Sequence, residues 1–214
     1  MGHQKIDKKG LFITFEGGEG AGKSTQIVKL REALENLGFD VVQTREPGGC
    51  PEAEQIRDLI LGSAQHHFDP LSETLLLYAA RYEHVKKKIQ PALDAGKIVL
   101  CDRFADSTLV YQGYAGGLSL SLLEKLYTLV IGDLKPDLTF VLDLPIEVSA
   151  ERTQSRGLPQ DRFESKDIDF HRRLRKGFLE LAQQHPERMV VIDASRTIEE
   201  IFQQILKLFL TKLS

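Results

Sequence analysis

Gly17-Gly18-Glu19-Gly20-Ala21-Gly22-Lys23-Ser24-Thr25 is the stretch on which the reading of this chain turns. The apolar run Leu11-Phe12-Ile13-Thr14-Phe15 precedes it. After it, Ile27, Leu30, Leu34 and Leu37 recur at helical spacing up to Gly38, a helix C-terminal signal. Strand, glycine-rich turn, Lys-Ser/Thr and helix together have the form of a phosphate-binding P-loop. Glycines let successive backbone N–H groups converge on phosphate oxygens, and the helix N-terminus adds partial positive charge. Gly17 through Thr25 are therefore the candidate nucleotide-binding residues. Lys23 is placed to reach the β- and γ-phosphates of a nucleoside triphosphate such as ATP, and the Ser24 hydroxyl to ligate Mg²⁺.

Working outward, four more short apolar segments alternate with helical ones: Asp40–Thr44, Ile98–Asp102, Leu138–Asp143 and Met189–Asp193. With Leu11–Glu16 they predict a five-stranded parallel sheet flanked by helices, an α/β, three-layer fold. The last helix, Ile198–Leu213, carries an apolar stripe of Ile201, Phe202, Ile205 and Phe209, which is expected to be core, as is the stripe of the first helix. Long helical insertions follow the second and third strands, over Pro51–Ala95 and Ala105–Gly132. No repeat or linker interrupts the pattern. The expectation is a flexible tail over 1–10 and one domain over 11–214. Ligands of open α/β sheets sit beyond the strands' carboxyl ends. Functional weight thus falls on Glu16–Thr25, Arg45–Gly49, Asp102–Gln112 and the segment after Asp143.

The 214 residues suffice for a full core, and 28 Lys or Arg against 31 Asp or Glu leave a net charge of −3. A bulk nucleic-acid binder would be basic, so nucleic acid is not an expected partner. No apolar run has the roughly 18 residues a membrane span needs, and the N-terminus lacks a signal-peptide core. Two cysteines, Cys50 and Cys101, fit a reducing compartment without requiring it. A cytoplasmic protein without membrane partners is the expectation.

Asp102-Arg103 closes the third strand. A carboxylate ending a strand beside a P-loop strand is suited to hold Mg²⁺ together with Ser24. Asp143 also ends an apolar strand, but Arg103 beside Asp102 supplies a cation where an acceptor phosphate would lie. From Glu151 to Lys176 there are eight Lys or Arg and five Asp or Glu. Arg152 and Arg156 lie four apart on one helical face and lead to a loop holding Arg162. These three are read as a lid, about 151–166, closing over the transferred phosphoryl group, whose charge suits bidentate guanidinium groups. Arg172, Arg173 and Arg175 are read as a solvated face. The six histidines show no zinc spacing and are assigned to surface or loop. A phosphate acceptor is already largely ionised at neutral pH and needs no histidine base.

With these motifs in place the chain resembles the bacterial thymidylate kinases, within the nucleoside monophosphate kinases. The resemblance rests on Phe15-Glu16 running into the P-loop, Thr44-Arg45-Glu46-Pro47-Gly48-Gly49 and Tyr78-Ala79-Ala80-Arg81. It continues with Asp102-Arg103, Asp106-Ser107-Thr108, Tyr111-Gln112-Gly113 and Pro136-Asp137-Leu138-Thr139 leading into Leu142-Asp143. It implies a P-loop kinase fold with a helical lid segment, transfer of the ATP γ-phosphoryl group to dTMP with Mg²⁺, and a homodimer built through the helices after the second and third strands. By the same resemblance Arg103 grips the acceptor phosphate with help from Arg57, and Pro47 lies on the substrate side. Arg81 faces thymine O4, while Thr108 and Gln112 bond the base's polar edge. Tyr111 packs where a ribose 2′-hydroxyl would sit, and Glu19 approaches the 3′-hydroxyl. Lys23, Arg103, Arg152, Arg156 and Arg162 form the catalytic set. Glu19 in the P-loop, with arginines in the lid, looks like the bacterial type. Leu77 departs from relatives whose phenylalanine stacks on the base, so apolar contact without stacking is expected there.

Two rival readings make different demands. A kinase for another nucleotide acceptor would lack the base-edge set Arg81, Thr108 and Gln112. A regulatory GTPase switch would need Asn-Lys-x-Asp after a later strand, which the sequence does not contain.

Overall fold

The computed structural model describes residues 10–62, 68–155, 163 and 166–213, with the side chains of 154 and 155 excepted. The strands are β1 (Phe12–Glu16), β2 (Val41–Arg45), β3 (Ile98–Asp102), β4 (Leu138–Asp143) and β5 (Met189–Asp193). All pair in parallel, in the order β2-β3-β1-β4-β5. Three strands match the sequence expectation residue for residue, while β1 begins one residue later and β2 is shifted by one residue, ending at Arg45 rather than Thr44. Leu11 and Asp40 still accept ladder bonds from Val99 and Ile98, at 2.8 and 2.9 Å, and Arg45 extends the pairing of β2 to Asp102.

Strand alternation sorts the core into two faces. Ile13, Phe15, Ile98, Leu100, Phe140 and Ile192 meet α1 (Lys23–Asn36) and α9 (Ile198–Leu213) through Ile27, Leu30, Leu34, Ile201, Ile205 and Phe209. Each such side chain contributes about 1.5–3 kcal/mol on burial. The opposite face carries Phe12, Val99 and Cys101 against Val85, Ile89 and Phe104. Further along it, Val141 packs with Val110, Leu174 and Phe178. Two stripe positions are not core. Leu37 caps α1 beyond its last turn and is 49% exposed, while half-buried Phe202 receives the Lys29 ammonium 4.9 Å from its ring centre.

The insertion after β2 becomes α2 (Pro51–Leu61), α3 (Pro70–His84), a π-turn (Val85–Ile89) and α4 (Gln90–Asp94). The one after β3 becomes α5 (Ala105–Thr108), a π-turn (Leu109–Tyr114) and α6 (Leu120–Val130). Beyond β4 come α7 (Ile146–Ser155) and α8 (Ile168–Gln184). Of the expected tail, residues 1–9 lie outside the described residues; Gly10 is buried and donates to Leu93 O at 2.8 Å. Register aligns Phe15 with Asp102 and Arg45 with Asp102, so the ends of β1, β2 and β3 lie abreast.

Candidate active site

A cleft of about 490 Å³ opens at those strand ends. It gathers Glu19, Gly20, Gly22, Lys23, Ser24 and Thr25 from the glycine loop, and Arg45, Glu46 and Pro47 from beyond β2. Arg57 (α2), Leu77 and Arg81 (α3), Asp102 at the end of β3, Arg103 just after it, and Thr108, Tyr111 and Gln112 join them. The last three lie three and four residues apart, so one helical face aims all of them inward. Their π-turn widens the helix there, a distortion common at functional sites. Among the described residues lining the cleft, Lys23 and Arg45, Arg57, Arg81 and Arg103 outnumber the carboxylates Glu19, Glu46 and Asp102. A chain of net charge −3 therefore presents a positive cleft.

The loop's conformation is set by its glycines. Gly17 has φ +128°, and a Cβ there would fall 2.4 Å from Leu142 O; Gly22 caps α1 at φ +87°. Lys23 Nζ donates to Gly17 O and Gly18 O at 3.1 and 2.8 Å, folding back onto the glycine loop. Burial, then Arg103, push its ammonium pKa down to about 8. Ser24 Oγ donates to Asp102 Oδ2 at 2.7 Å, joining α1 to the end of β3. Asp143 is engaged elsewhere, taking a bidentate pair from Arg175 at 2.6 and 2.8 Å. Arg175 is thus an ion-pairing residue and not part of a solvated face.

Arg103 turns the chain out of β3 at φ +67°, a left-handed backbone unusual outside glycine. Its Nη1 donates to Gly17 O at 3.0 Å and Ser107 Oγ at 3.2 Å, and its Nη2 to Glu19 Oε1 at 2.9 Å. Tyr111 OH donates to the same Glu19 oxygen at 2.6 Å, and the Arg103 guanidinium sits 5.0 Å from the Tyr111 ring centre. Burial favours the neutral Glu19 carboxyl, but Arg103 and Lys23 outweigh it and hold its pKa below the usual range. Glu16, fully buried at the end of β1, accepts from Phe104 N at 2.8 Å and Ser107 Oγ at 2.6 Å. Burial and then Asp106 push its pKa up to about 7.

On the far wall, Arg81 Nε donates to Glu46 Oε2 at 2.7 Å, and Nη2 to Phe104 O and Thr108 Oγ1 at 3.1 and 3.0 Å. Its Nη1, and Glu19 Oε2 across the cleft, are buried and without hydrogen-bond partners among the described residues. Unmet donors and acceptors of this kind call for a ligand that supplies the complementary groups. Gln112 Nε2 donates to Glu73 Oε1 at 2.9 Å, and Arg57 Nη1 to Pro47 O at 2.7 Å. Leu77 reaches the cleft, whereas Tyr78 points away and donates to Leu123 O at 3.1 Å.

Not every candidate converges there. Gly17 and Gly18 line a separate recess of about 30 Å³ behind the loop, and Ala21 is core. Arg152 Nη1 donates to Ala194 O at 3.1 Å, beyond β5. Arg156 and Arg162 lie outside the described residues, as do His3, His66 and His67. His84 overturns the surface assignment given to the histidines, being fully buried and hydrogen-bonded on both ring nitrogens. Sequence reading weighted Glu46 only as part of Arg45–Gly49, without a role of its own, and missed His84. Its spacing on α3 was a usable signal, since Leu77, Ala80, Arg81 and His84 fall at i, i+3, i+4 and i+7.

The family model described as Thymidylate kinase matches residues 15–205. The thymidylate kinase of Caulobacter vibrioides is 51% identical over 193 residues, covering 90% of this chain and 92% of that one. That of Syntrophotalea carbinolica is 49% identical over 200 residues, covering 91% and 93%. The crystal structure of thymidylate kinase from Ehrlichia chaffeensis superposes with a TM-score of 0.76 at 39% identity, covering 94% of this chain and 99% of that one. Family match, sequence identity, near-complete coverage and superposition agree: the chain belongs to the thymidylate kinase family and is a phosphotransferase.

Proposed function

We propose that the cleft is a two-substrate site in which the γ-phosphoryl group of ATP passes to dTMP, giving dTDP and ADP. The observation that carries this reading is the joining, in one cleft, of the P-loop lysine Lys23 with Arg103 and the base-edge set Arg81, Thr108 and Gln112. Lys23 and the loop N–H groups bind the donor phosphates, while Arg103 and Arg57 bind the acceptor phosphate. A dTMP phosphate oxygen attacks the γ-phosphorus, and the bond to the β-phosphate's bridging oxygen breaks as ADP leaves. The ionised acceptor needs no base, so the side chains' task is to align the two phosphates and spread the developing charge.

At the other end, among the described residues, Arg81 Nη1 lacks an acceptor and Glu19 Oε2 lacks a donor. Thymine O4 and the 3′-hydroxyl supply those groups. Tyr111 fills the space beside the sugar, and Leu77 gives the base apolar contact. Ser24 and Asp102 would hold Mg²⁺: a hydroxyl and a carboxylate already within one hydrogen bond form an all-oxygen donor set suited to a hard cation. Bound there, it neutralises phosphate charge.

Arg152, Arg156 and Arg162 are assigned to a lid over about 151–166. Its proximity is supported by Ser149 Oγ donating to Glu19 O at 2.7 Å, and by Phe163 packing edge-on to Tyr111 at 5.3 Å where it lines the cleft. A homodimer is proposed through α2, α3 and α6, whose outer face exposes Leu59, Leu75, Tyr82 and Leu129, the last 81% exposed. Sedimentation equilibrium would show twice the chain mass; a monomer at micromolar concentration would refute it. The cytoplasm is the proposed compartment, in accord with two buried free cysteines.

The deciding experiment measures ADP release with dTMP, dCMP, AMP and GMP as acceptors. A strong preference for dTMP is expected, and a preference for AMP or GMP would overturn the reading.

A further inference from the structure

We infer that His84 is a positioning residue that sets the Arg81 guanidinium for reading the acceptor's base. The inference rests on the reading above that Arg81 faces that base. His84 does not line the cleft, whereas Glu46 and Arg81 both do. It therefore acts through them or not at all.

A continuous buried chain connects them. Thr44 Oγ1 and His84 Nε2 lie 2.6 Å apart, and His84 Nδ1 and Glu46 Oε1 3.0 Å apart. Glu46 Oε2 then accepts from Arg81 Nε at 2.7 Å. A Glu carboxylate rotates over a broad torsional well, so one hydrogen bond alone leaves its plane free to swing. The second bond, from His84, fixes that plane and with it the direction from which Arg81 Nε–H must approach. The guanidinium is flat and rigid. Once Nε is held by Glu46 and Nη2 by Phe104 O and Thr108 Oγ1, the place of Nη1 follows, and Nη1 is the nitrogen left without a partner among the described residues.

The ring itself has no freedom to shift. At Gly49, φ is +93° and a Cβ would fall 2.4 Å from His84 Nε2 and 2.6 Å from Thr44 Oγ1. The loop after β2 thus closes directly over the imidazole, and only glycine permits that approach. Without His84, one Glu46 oxygen would be buried and unpaired, and the carboxylate would turn to find another donor at the expense of Arg81.

A fixed Nη1–H donor accepts a base with a carbonyl at C4 and rejects one with an amino group there. Loosening the donor should therefore cost discrimination more than turnover. The test uses His84→Phe in the full chain, which keeps a ring and removes both hydrogen bonds. KM for dTMP should rise about 10-fold, and the dTMP to dCMP ratio of kcat/KM should fall about 10-fold. KM for ATP and kcat with saturating dTMP should stay within about 2-fold. His84→Asn, whose amide can replace Nδ1 toward Glu46, should recover most of the selectivity. Should His84→Phe fail to fold, Thr44→Val decides, with a smaller shift in the same ratio expected. An unchanged ratio in the folded variant, or equal losses toward both acceptors, would overturn the inference. Arg81→Met separates the two layers. If it loses the ratio while His84→Phe keeps it, the inference alone fails; if Arg81→Met itself keeps the ratio, the base reading fails with it.

Discussion

Glu19 and Arg103, 84 residues apart in sequence, form a 2.9 Å ion pair across the cleft, and Tyr111 donates to the same carboxylate oxygen. Arg103, proposed above to bind the acceptor phosphate, is thus already held in place by Glu19. Arg103→Met should lower kcat/KM for dTMP about 100- to 1,000-fold, the loss of two charged hydrogen bonds. Steady-state kinetics check this, and a loss below about 5-fold would remove Arg103 from the site.

Lys23 titrates near neutrality because burial and Arg103 depress its pKa to about 8. Above that pH the free protein holds a neutral amine, and a bound triphosphate restores the proton. ATP affinity should therefore fall as pH rises through about 8, with proton uptake on binding. Calorimetry at pH 8 in buffers of different ionisation enthalpy measures the uptake. It should vanish in Lys23→Met, whose ATP affinity should also be weaker at pH 7.

Glu16 links folding to pH. Its folded pKa of about 7 exceeds the ordinary 4.5, so the folded chain keeps a proton that the unfolded chain has released between those values. Stability should fall across that window as pH rises, by on the order of 3 kcal/mol at most. Urea unfolding at pH 5 and pH 8 should show this drop shrinking in Glu16→Gln. An identical drop in the variant would assign it to other groups.

Two arginine pairs should differ sharply in their effect on stability. Arg188 forms a bidentate, largely buried pair with Asp106 at 2.8 Å and also donates to Thr139 Oγ1. Arg172 pairs with Asp169 on an exposed helix face. Removing Arg188 leaves Asp106 buried and uncompensated, so Arg188→Ala should cost about 3–5 kcal/mol. Arg172→Ala should cost less than about 1 kcal/mol. Urea midpoints of the two variants provide the comparison.

Much of this molecule was legible in its residues. Parallel strands covered on both faces read as unbroken apolar runs, which is why β3, β4 and β5 could be bounded to the residue. Ser24 and Asp102 could be paired because each follows a strand whose carboxyl end must open on the same crevice. The network Thr44–His84–Glu46 could not be read that way, since periodicity shows which face a residue takes but not which partner 40 positions away it meets. Spacing on α3 could turn His84 inward, but not name the loop that covers it or the partners it meets. Arg175 escaped for the same reason: its bond to Asp143 depends on how α8 crosses the sheet.

The excess of cations over carboxylates in the cleft acts on departure as well as arrival. A positive field that draws phosphates in across a Debye length of about 10 Å also holds them once bound. The acceptor leaves carrying one phosphate more than it brought, so Arg103 and Arg57, if they bind its phosphate as proposed, should grip dTDP harder than dTMP. On this account, the escape of product, not its formation, is where salt should most directly set the pace of the cycle.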